Sequence, residues 1–129
     1  MDSVVHFEIP ADDVARAEKF YKNLFGWDIH DSGMPGMQYL IVHTGETDKK
    51  GMLKKPGAIN GGMMKRSHPG ETPVLVIDVK NLDAKLKEVV SEGGKIVMPT
   101  MEVGKMGLYA KVTDPEGNVI GIWQDILHP

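Results

Sequence analysis

The order of structural signals repeats once along this 129-residue chain, and the repeat limits the possible folds more than any other feature. Four pairs of corresponding residues lie at one constant spacing, on a strand, at a helix start and at a helix stop: Phe7 and Leu75, Ile9 and Ile77, Val14 and Leu82, Gly26 and Gly94. A spacing that holds across both strand and helix signals indicates an internal duplication. Each copy predicts the order β-α-β-β-β, the first over about residues 3–65 and the second over about residues 73–125.

Periodicity places the first strand and the helix of each copy. Residues 4–9 alternate and predict a strand, and residues 12–25 carry an apolar stripe at steps of three and four, with an aspartate cap and a glycine stop. The second copy repeats this with a strand at 74–79 and a helix after Asn81 that ends at Gly93–Gly94. We expect the strand residues Val5, Phe7, Ile9, Leu75 and Ile77 to pack under the helix residues Val14, Tyr21, Leu24, Leu82, Leu86 and Val89.

The remaining strands are predicted at 27–31, 37–43, 58–65 and 95–98, and in a closing hairpin at 108–113 and 119–124. The hairpin turns at Asp114-Pro115-Glu116-Gly117, where proline presets φ and glycine accepts a positive φ. Its last strand corresponds to the strand at 58–65, at a spacing that differs from that of the earlier pairs. With this spacing, Gly62 corresponds to Gly121 and Met64 corresponds to Trp123. We expect a mobile, lysine-rich loop at 45–57, a linker at 67–71 and a loop at 99–107.

Composition excludes several classes of function. The net charge of −3 leaves no broad basic surface for nucleic acid. The absence of cysteine excludes disulfides, thiolate catalysis and zinc–cysteine sites, and it fits a cytoplasmic location. No apolar run approaches the roughly 18 residues of a membrane span, and the N-terminus lacks the pattern of a signal peptide. The length suits one compact domain over residues 1–129.

Several motifs together resemble one family. They are the Asp-Pro-Glu-Gly-Asn turn, the opening His6-x-x-x-Pro10-x-Asp12-Asp13, the Phe20-Tyr21 pattern and the repeat itself. The chain resembles the glyoxalase / bleomycin-resistance / extradiol-dioxygenase (vicinal oxygen chelate) superfamily, in a branch poor in metal ligands. The resemblance implies an α+β fold in which two βαβββ modules form a curled, eight-stranded mixed sheet, with the helices on the convex face and a cleft on the concave face. It also implies a homodimer.

The resemblance bears directly on metal chemistry. Metal-dependent members of the superfamily place ligands at positions that correspond here to His6, Gly62, Val74 and Gly121, and only His6 can bind a metal. Catalytic zinc needs about three protein ligands, and a non-haem iron centre needs two histidines and a carboxylate. No pair of histidines has the spacing of a helical metal motif. We therefore expect neither a metal nor another cofactor, while a rearranged site that uses Glu8 or Asp78 is the alternative.

The residues around these positions predict a cleft for a small molecule. The two glycines and the valine are expected to open volume, lined by apolar and aromatic side chains with a few polar groups, as small-molecule sites usually are. The predicted ligand-binding residues are His6, Glu8, Tyr39, Met64, Val74, Val76, Tyr109, Val119, Gly121 and Trp123. This pattern favours a bleomycin-resistance-like binding protein that needs no metal.

Other interpretations stay open. The chain could be a metal-dependent lyase or dioxygenase, an acid–base enzyme that pairs His6 with Glu8 or Asp78, or a structural dimer module without a ligand. The same residues also have structural explanations. His6 could be a hydrogen-bonded structural histidine, Trp123 and Met64 could fill the interior, and the two glycines could permit strand bending or close backbone approach.

Overall fold

The structure is a computed structural model, and it describes residues 1–128. Eight strands form one mixed, open sheet that is accompanied by two helices. The elements in chain order are β1 (Val4–Ala11), α1 (Val14–Phe25), β2 (Asp28–Asp31), β3 (Tyr39–His43), β4 (Gly61–Lys65), β5 (Val74–Asp78), α2 (Leu82–Ser91), β6 (Lys95–Val103), β7 (Gly107–Thr113) and β8 (Val119–Asp125). The predicted α+β class and the predicted order of elements are confirmed.

The chain divides into two compact units, which repeat one topology. The first unit is His6–Pro73, and the second joins Met1–Val5 to the chain from Val74 onward. In the first unit the strand order is β2-β3-β4-β1, with β1 parallel to β4. In the second it is β6-β7-β8-β5, with β5 parallel to β8. Each unit therefore joins its first and last strands in parallel and its last three strands as antiparallel neighbours.

The ends of the helices repeat as well. The side chain of Asp13 accepts a hydrogen bond from the backbone N–H of Arg16 at 3.0 Å, and Asn81 caps α2 by accepting from Ala84 at 3.0 Å. These contacts satisfy amides that have no partner inside the helix. Gly26 follows α1 in the left-handed region at φ 71°. The predicted start of the first helix at residue 12 was two residues early, because Asp13 is the cap itself.

Each unit has a core under its helix. In the first, α1 packs on β2 and β4, and the rings of Tyr21 and Trp27 stack at 4.9 Å. In the second, α2 packs on β6, β7 and β8. The buried residues of the two cores are Ala11, Val14, Ile29, Leu40, Val42 and Met63 in the first unit, and Val79, Leu82, Leu86, Ala110, Val112 and Ile122 in the second.

Part of the predicted core is wrong. Phe7, Ile77 and Val89 pack against the cores as expected. Val5 and Leu75 are exposed, however, and so is Leu24. On β1 and β5 the core contacts are instead made by the later residues Phe7, Ala11 and Ile77.

Two strand boundaries differ from the prediction by three residues or more. β6 continues through Pro99 to Val103, where a loop was expected, and its pairing with β7 shifts register on both sides of Met98. A proline is tolerated there because β6 ends the strand order and carries irregular pairing. β4 begins only at Gly61, since the preceding residue, Asn60, uses its side chain to accept a hydrogen bond from the Thr44 N–H at 2.9 Å.

The lysine-rich segment forms a hydrogen-bonded turn. Thr47 and Leu53 make an isolated antiparallel bridge, and the N–H of Lys54 donates to the Glu46 carbonyl at 2.9 Å. The Asp48 carboxylate accepts from the N–H of Met52 at 3.0 Å. Several backbone groups of this segment thus find partners within the segment.

Candidate functional site

A hydrogen-bonded set of three polar side chains lies in the first unit, and we call it the polar triad: His6 and Glu8 on β1 and Tyr39 on β3. The Tyr39 hydroxyl lies 3.0 Å from His6 Nε2, and it donates to Glu8 Oε2 at 3.3 Å. All three side chains are partly buried. His6 and Glu8 share one face of β1 because alternate residues of a strand point the same way. The structure thus brings together three of the predicted site residues.

The proton positions within the triad follow from its donors and acceptors. Tyr39 carries one hydroxyl hydrogen, which it donates to Glu8, so the bond to His6 needs the hydrogen on His6 Nε2. Burial, reinforced by the charge of Glu8, raises the pKa of Tyr39 far above its ordinary value. Burial also lowers the pKa of His6, against the opposing effect of Glu8. Near neutral pH the triad therefore holds a neutral imidazole and a neutral phenol beside an acidic side chain.

Tyr39 occupies the space beside Gly62. A Cβ added to Gly62 would lie only 1.9 Å from the Tyr39 hydroxyl oxygen and 2.1 Å from its Cζ. The expectation that glycine at this position opens volume was wrong, because the phenol ring fills that volume. Glycine is needed here to let a side chain from the neighbouring strand approach the backbone closely.

The second unit repeats this contact. A Cβ on Gly121 would lie 2.4 Å from the Tyr109 hydroxyl oxygen. The registers agree as well, since Tyr39 lies opposite Met64 and Tyr109 lies opposite Trp123. The predicted match of Gly62 with Gly121 and of Met64 with Trp123 is therefore confirmed in the strand pairing. The expectation of open volume was wrong at Gly121 for the same reason as at Gly62.

The first strand of each unit carries residues of different polarity beside the glycine that the tyrosine covers. Glu8 pairs with Gly62 across β1 and β4, and Val76 pairs with Gly121 across β5 and β8. The second unit thus has Val74 and Val76 where the first has His6 and Glu8. Val74, Val76 and Tyr109 form one buried cluster, against which Met98, Val103 and Trp123 pack. The polar triad of the first unit corresponds to an apolar cluster in the second.

The other predicted site residues have structural surroundings. Met64 is half-buried opposite Tyr39, and Trp123 lies with its ring 6.4 Å from that of Tyr109. A Cβ on Gly107 would meet the Trp123 ring at 2.3 Å, so Trp123 also covers a glycine. Val119 is exposed. These contacts agree with the packing explanation of Trp123.

Two shallow cavities lie elsewhere on the first unit, along α1. One has a volume of about 420 Å³ and is lined by Arg16, Lys19, Phe20, Asn23 and Leu24. The other, of about 350 Å³, lies near Asp12 and Arg66, whose side chains form an ion pair at 3.0 Å. Neither cavity is lined by a predicted site residue.

Asp78, considered above as an alternative partner for His6, lies in the second unit. Its pKa is raised, mainly by burial and further by the negative charges of Asp125 and Asp2. Its backbone N–H donates to the Ser3 carbonyl at 2.9 Å. The carboxyl group is therefore in an acidic neighbourhood.

The sequence reasoning missed a second group of polar side chains in the first unit, formed by Asp28, His30 and His43. Helical spacing does not relate these residues, because they lie on the neighbouring strands β2 and β3. A signal was present in the alternation of both strands, but using it required the register of their pairing.

Comparison with known proteins agrees with this architecture. Residues 3–122 match the family described as Glyoxalase/Bleomycin resistance protein/Dioxygenase superfamily. The chain belongs to this superfamily. It is 31% identical over 124 residues to the Mycobacterium bovis protein named "Putative glyoxylase CFP32", and 24% identical over 125 residues to the anthracycline biosynthesis protein DnrV of Streptomyces peucetius. These matches cover 94% and 92% of this chain but 45% of each relative, so the chain spans about half their length.

A solved structure gives the same fold. Methylmalonyl-CoA epimerase in complex with methylmalonyl-CoA and NH4⁺ matches with a TM-score of 0.70 at 13% identity, over 98% of this chain and 96% of the epimerase. Within residues 1–128 of our structure, neither helix has the length and apolar character needed to cross a membrane.

The residues at the superfamily's metal-ligand positions do not fit a metal in this chain. In the second unit these positions hold buried Val74 and Gly121, which offer no ligand atom. In the first unit Gly62 is covered by the Tyr39 ring, and His6 Nε2 is hydrogen-bonded to the Tyr39 hydroxyl. We therefore derive no chemical step through a metal at these positions.

Proposed function

We propose that this member of the glyoxalase superfamily binds a small, partly apolar molecule through the polar triad, with no metal at the superfamily's ligand positions. The observation that carries the proposal is the hydrogen-bonded arrangement of His6, Tyr39 and Glu8 beside Gly62. A few fixed polar groups among apolar side chains are what a small-molecule site requires. The bleomycin-resistance mode, in which the molecule is held and not transformed, is the version that we propose.

The chemistry of the triad narrows the kind of ligand. Glu8 brings acidic oxygens, while His6 and Tyr39 are both held neutral. Carboxyl oxygens accept hydrogen bonds and so favour a ligand that donates them, through hydroxyl or amino groups. We therefore propose a ligand with hydrogen-bond donors on an aromatic or apolar body. The name of the anthracycline biosynthesis relative is consistent with such a molecule.

An acid–base enzyme is the second candidate, and the lowered pKa of His6 favours it. A neutral imidazole at neutral pH can accept a proton, and Glu8 would stabilise the imidazolium that forms. The fold of a methylmalonyl-CoA epimerase agrees with this candidate at the level of architecture only. The metal-dependent lyase or dioxygenase is a third candidate and requires ligands other than those at the superfamily's positions.

The second unit suggests the variant that tests the proposal. The double substitution His6→Val with Glu8→Val gives β1 the side chains that β5 already carries beside Tyr109. Because that apolar arrangement packs in the second unit, the variant is expected to fold. The matched control is Glu18→Val, which removes a carboxylate from α1, away from the triad.

The binding experiment uses daunorubicin as the probe, because its own fluorescence reports binding. We expect micromolar binding that a chelator does not remove. The affinity should fall by about 10-fold or more in the double variant, which corresponds to roughly 1–3 kcal/mol for unpaired polar partners. The affinity should not change in Glu18→Val. Native mass spectrometry of freshly purified protein should show a co-purified small molecule and no metal whose binding depends on His6. A metal that is lost on His6→Ala would overturn the proposal in favour of the lyase or dioxygenase.

We also propose that the chain forms a homodimer. Several large apolar side chains on α1 are exposed in the single chain, among them Phe20, Leu24 and Phe25, at 56–60%. Large exposed apolar surfaces often mark protein interfaces, and most homo-oligomers have twofold symmetry.

A further inference from the structure

A second cluster of potential ligands lies on β2 and β3 of the first unit. Asp28 and His30 are two residues apart on β2 and therefore share a face. Asp28 pairs directly with His43 on β3, and His30 pairs with Ile41, so His30 and His43 are diagonal neighbours. The ligand atoms of the three side chains all lie within 4.8 Å of one another, and the two imidazole rings are 5.2 Å apart.

His43 supplies an independent reason to expect a ligand. Its Nδ1 atom is buried and has no hydrogen-bond partner among residues 1–128. The nearest acidic oxygen, Asp28 Oδ2, is 3.5 Å away, which is too long for a good hydrogen bond. Buried polar atoms in folded proteins nearly always have a partner. A cation placed between Asp28 and His43 would provide one.

We propose that Asp28, His30 and His43 bind a divalent first-row transition metal of the zinc type. Two imidazoles and a carboxylate are ligands that Zn²⁺ accepts, and three protein ligands leave a fourth position open for water or another molecule. Ligand atoms around tetrahedral zinc are roughly 3.3 Å apart, given bonds of about 2.0–2.1 Å. The present separations need only a modest closing movement, which the exposed side chain of Asp28 can make. Calcium and magnesium are disfavoured because they prefer all-oxygen sites.

This site is separate from both the polar triad and the superfamily's metal positions. On β3, His43 lies four residues from Tyr39, which is roughly 13 Å along a strand. β2 is the last strand in the order of the first unit, so the metal would join an edge strand to its neighbour. The proposal therefore does not depend on the proposed function, and either can fail without the other.

The test is calorimetric titration of the untagged full chain with ZnCl₂ at pH 7.5. We expect one Zn²⁺ per chain with a Kd below about 10 µM, and at least a 10-fold loss of affinity in His30→Ala. The side chain of His30 is exposed, so this variant should keep its fold. The control is His128→Ala, because His128 also lies beside an aspartate, at 3.6 Å from Asp125, but has no second histidine in its cluster.

Two further measurements make the outcome decisive. His43→Gln should also lose at least 10-fold in affinity, and the melting temperature of the wild type, but not of either variant, should rise with added Zn²⁺. No binding at about 1 mM Zn²⁺ would overturn the proposal. Binding that is kept in both His30→Ala and His43→Gln, or lost equally in His128→Ala, would overturn it as well.

Discussion

Replacing Gly62 by alanine is the sharpest perturbation of the candidate site, because one methyl group acts on the whole polar triad. The added Cβ would lie 1.9 Å from the Tyr39 hydroxyl oxygen and 2.7 Å from its Cε1, distances that no real contact permits. The ring must therefore move. Moving it breaks or lengthens the 3.0 Å contact with His6 and the 3.3 Å hydrogen bond to Glu8.

Two contributions set the size of the effect. Forcing a methyl group into a filled space costs about 1–3 kcal/mol. Leaving partly buried polar groups of the triad without partners costs roughly another 1–2 kcal/mol, near the lower end of the usual range because these groups are not fully buried. We therefore expect Gly62→Ala to lower the free energy of unfolding by about 2–5 kcal/mol. Gly121→Ala should cost less, since its Cβ would approach Tyr109 only to 2.4 Å.

Urea unfolding followed by tryptophan fluorescence measures this cost, and a double-mutant cycle assigns its cause. In a Tyr39→Ala background the clash is absent, so Gly62→Ala should cost less than about 1 kcal/mol. Gly70→Ala is the control, because its Cβ would have ordinary contact at 3.7 Å and the residue has no positive φ. An equal cost of Gly62→Ala in both backgrounds would refute the contact with Tyr39 as the reason for glycine at this position.

Three other predictions concern charge and assembly. Asp78→Asn should raise the free energy of unfolding at pH 7 by about a few tenths of a kcal/mol. Because the pKa of Asp78 is raised, the folded state keeps the proton to a higher pH than the unfolded state does, and the stability of the wild type falls as pH rises through that window. The asparagine variant has no such loss. The contribution of His6 to stability has the opposite pH dependence, because its lowered pKa lets the unfolded chain take up a proton first as pH falls. Chemical unfolding should show that the wild type loses more stability than His6→Gln as pH falls below 6.5. Light scattering of the wild type at about 50 µM should give the mass of a dimer, and Phe20→Asp should shift the mass toward that of the monomer. Lys19→Asp is the charge control on the same helix. A wild-type monomer at that concentration would contradict the proposed homodimer.

The sequence predicted the elements of this fold because their signals are local. The helix caps at Asp13 and Asn81 and the alternating strands can be read within a few residues, and the repeat reinforced each of them. The errors occur where tertiary packing decides. Leu75 fits the apolar strand pattern but is exposed, whereas Ile77 on the same strand packs against the core. Pro99 looks like a strand end but lies within an irregular edge strand.

His6, Glu8 and Tyr39 were predicted as site residues from the sequence, but the contacts among them were not. Alternation along β1 places His6 and Glu8 on one face, and the structure adds the Tyr39 hydroxyl from β3. The cover of Gly62 by Tyr39 was not foreseen, because it depends on the diagonal register between β3 and β4. The grouping of His30 and His43 was not predicted for the same reason, because the register between β2 and β3 decides whether these side chains are neighbours.

The repeat explains why glycine at a position where metal-dependent members of the superfamily carry a ligand does not imply an empty site. In both units the last strand carries a glycine that is covered by a tyrosine from the neighbouring antiparallel strand, so the close contact belongs to the shared architecture. What differs is the strand on the other side of each glycine, where Glu8 in the first unit is replaced by Val76 in the second. The valines of the second unit join a buried apolar cluster, whereas His6 and Glu8 hold the Tyr39 hydroxyl at a partly buried position. Because the apolar arrangement satisfies packing in one unit, packing alone does not require the polar one in the other. This difference between the units supports the proposal that His6, Glu8 and Tyr39 serve recognition or proton transfer.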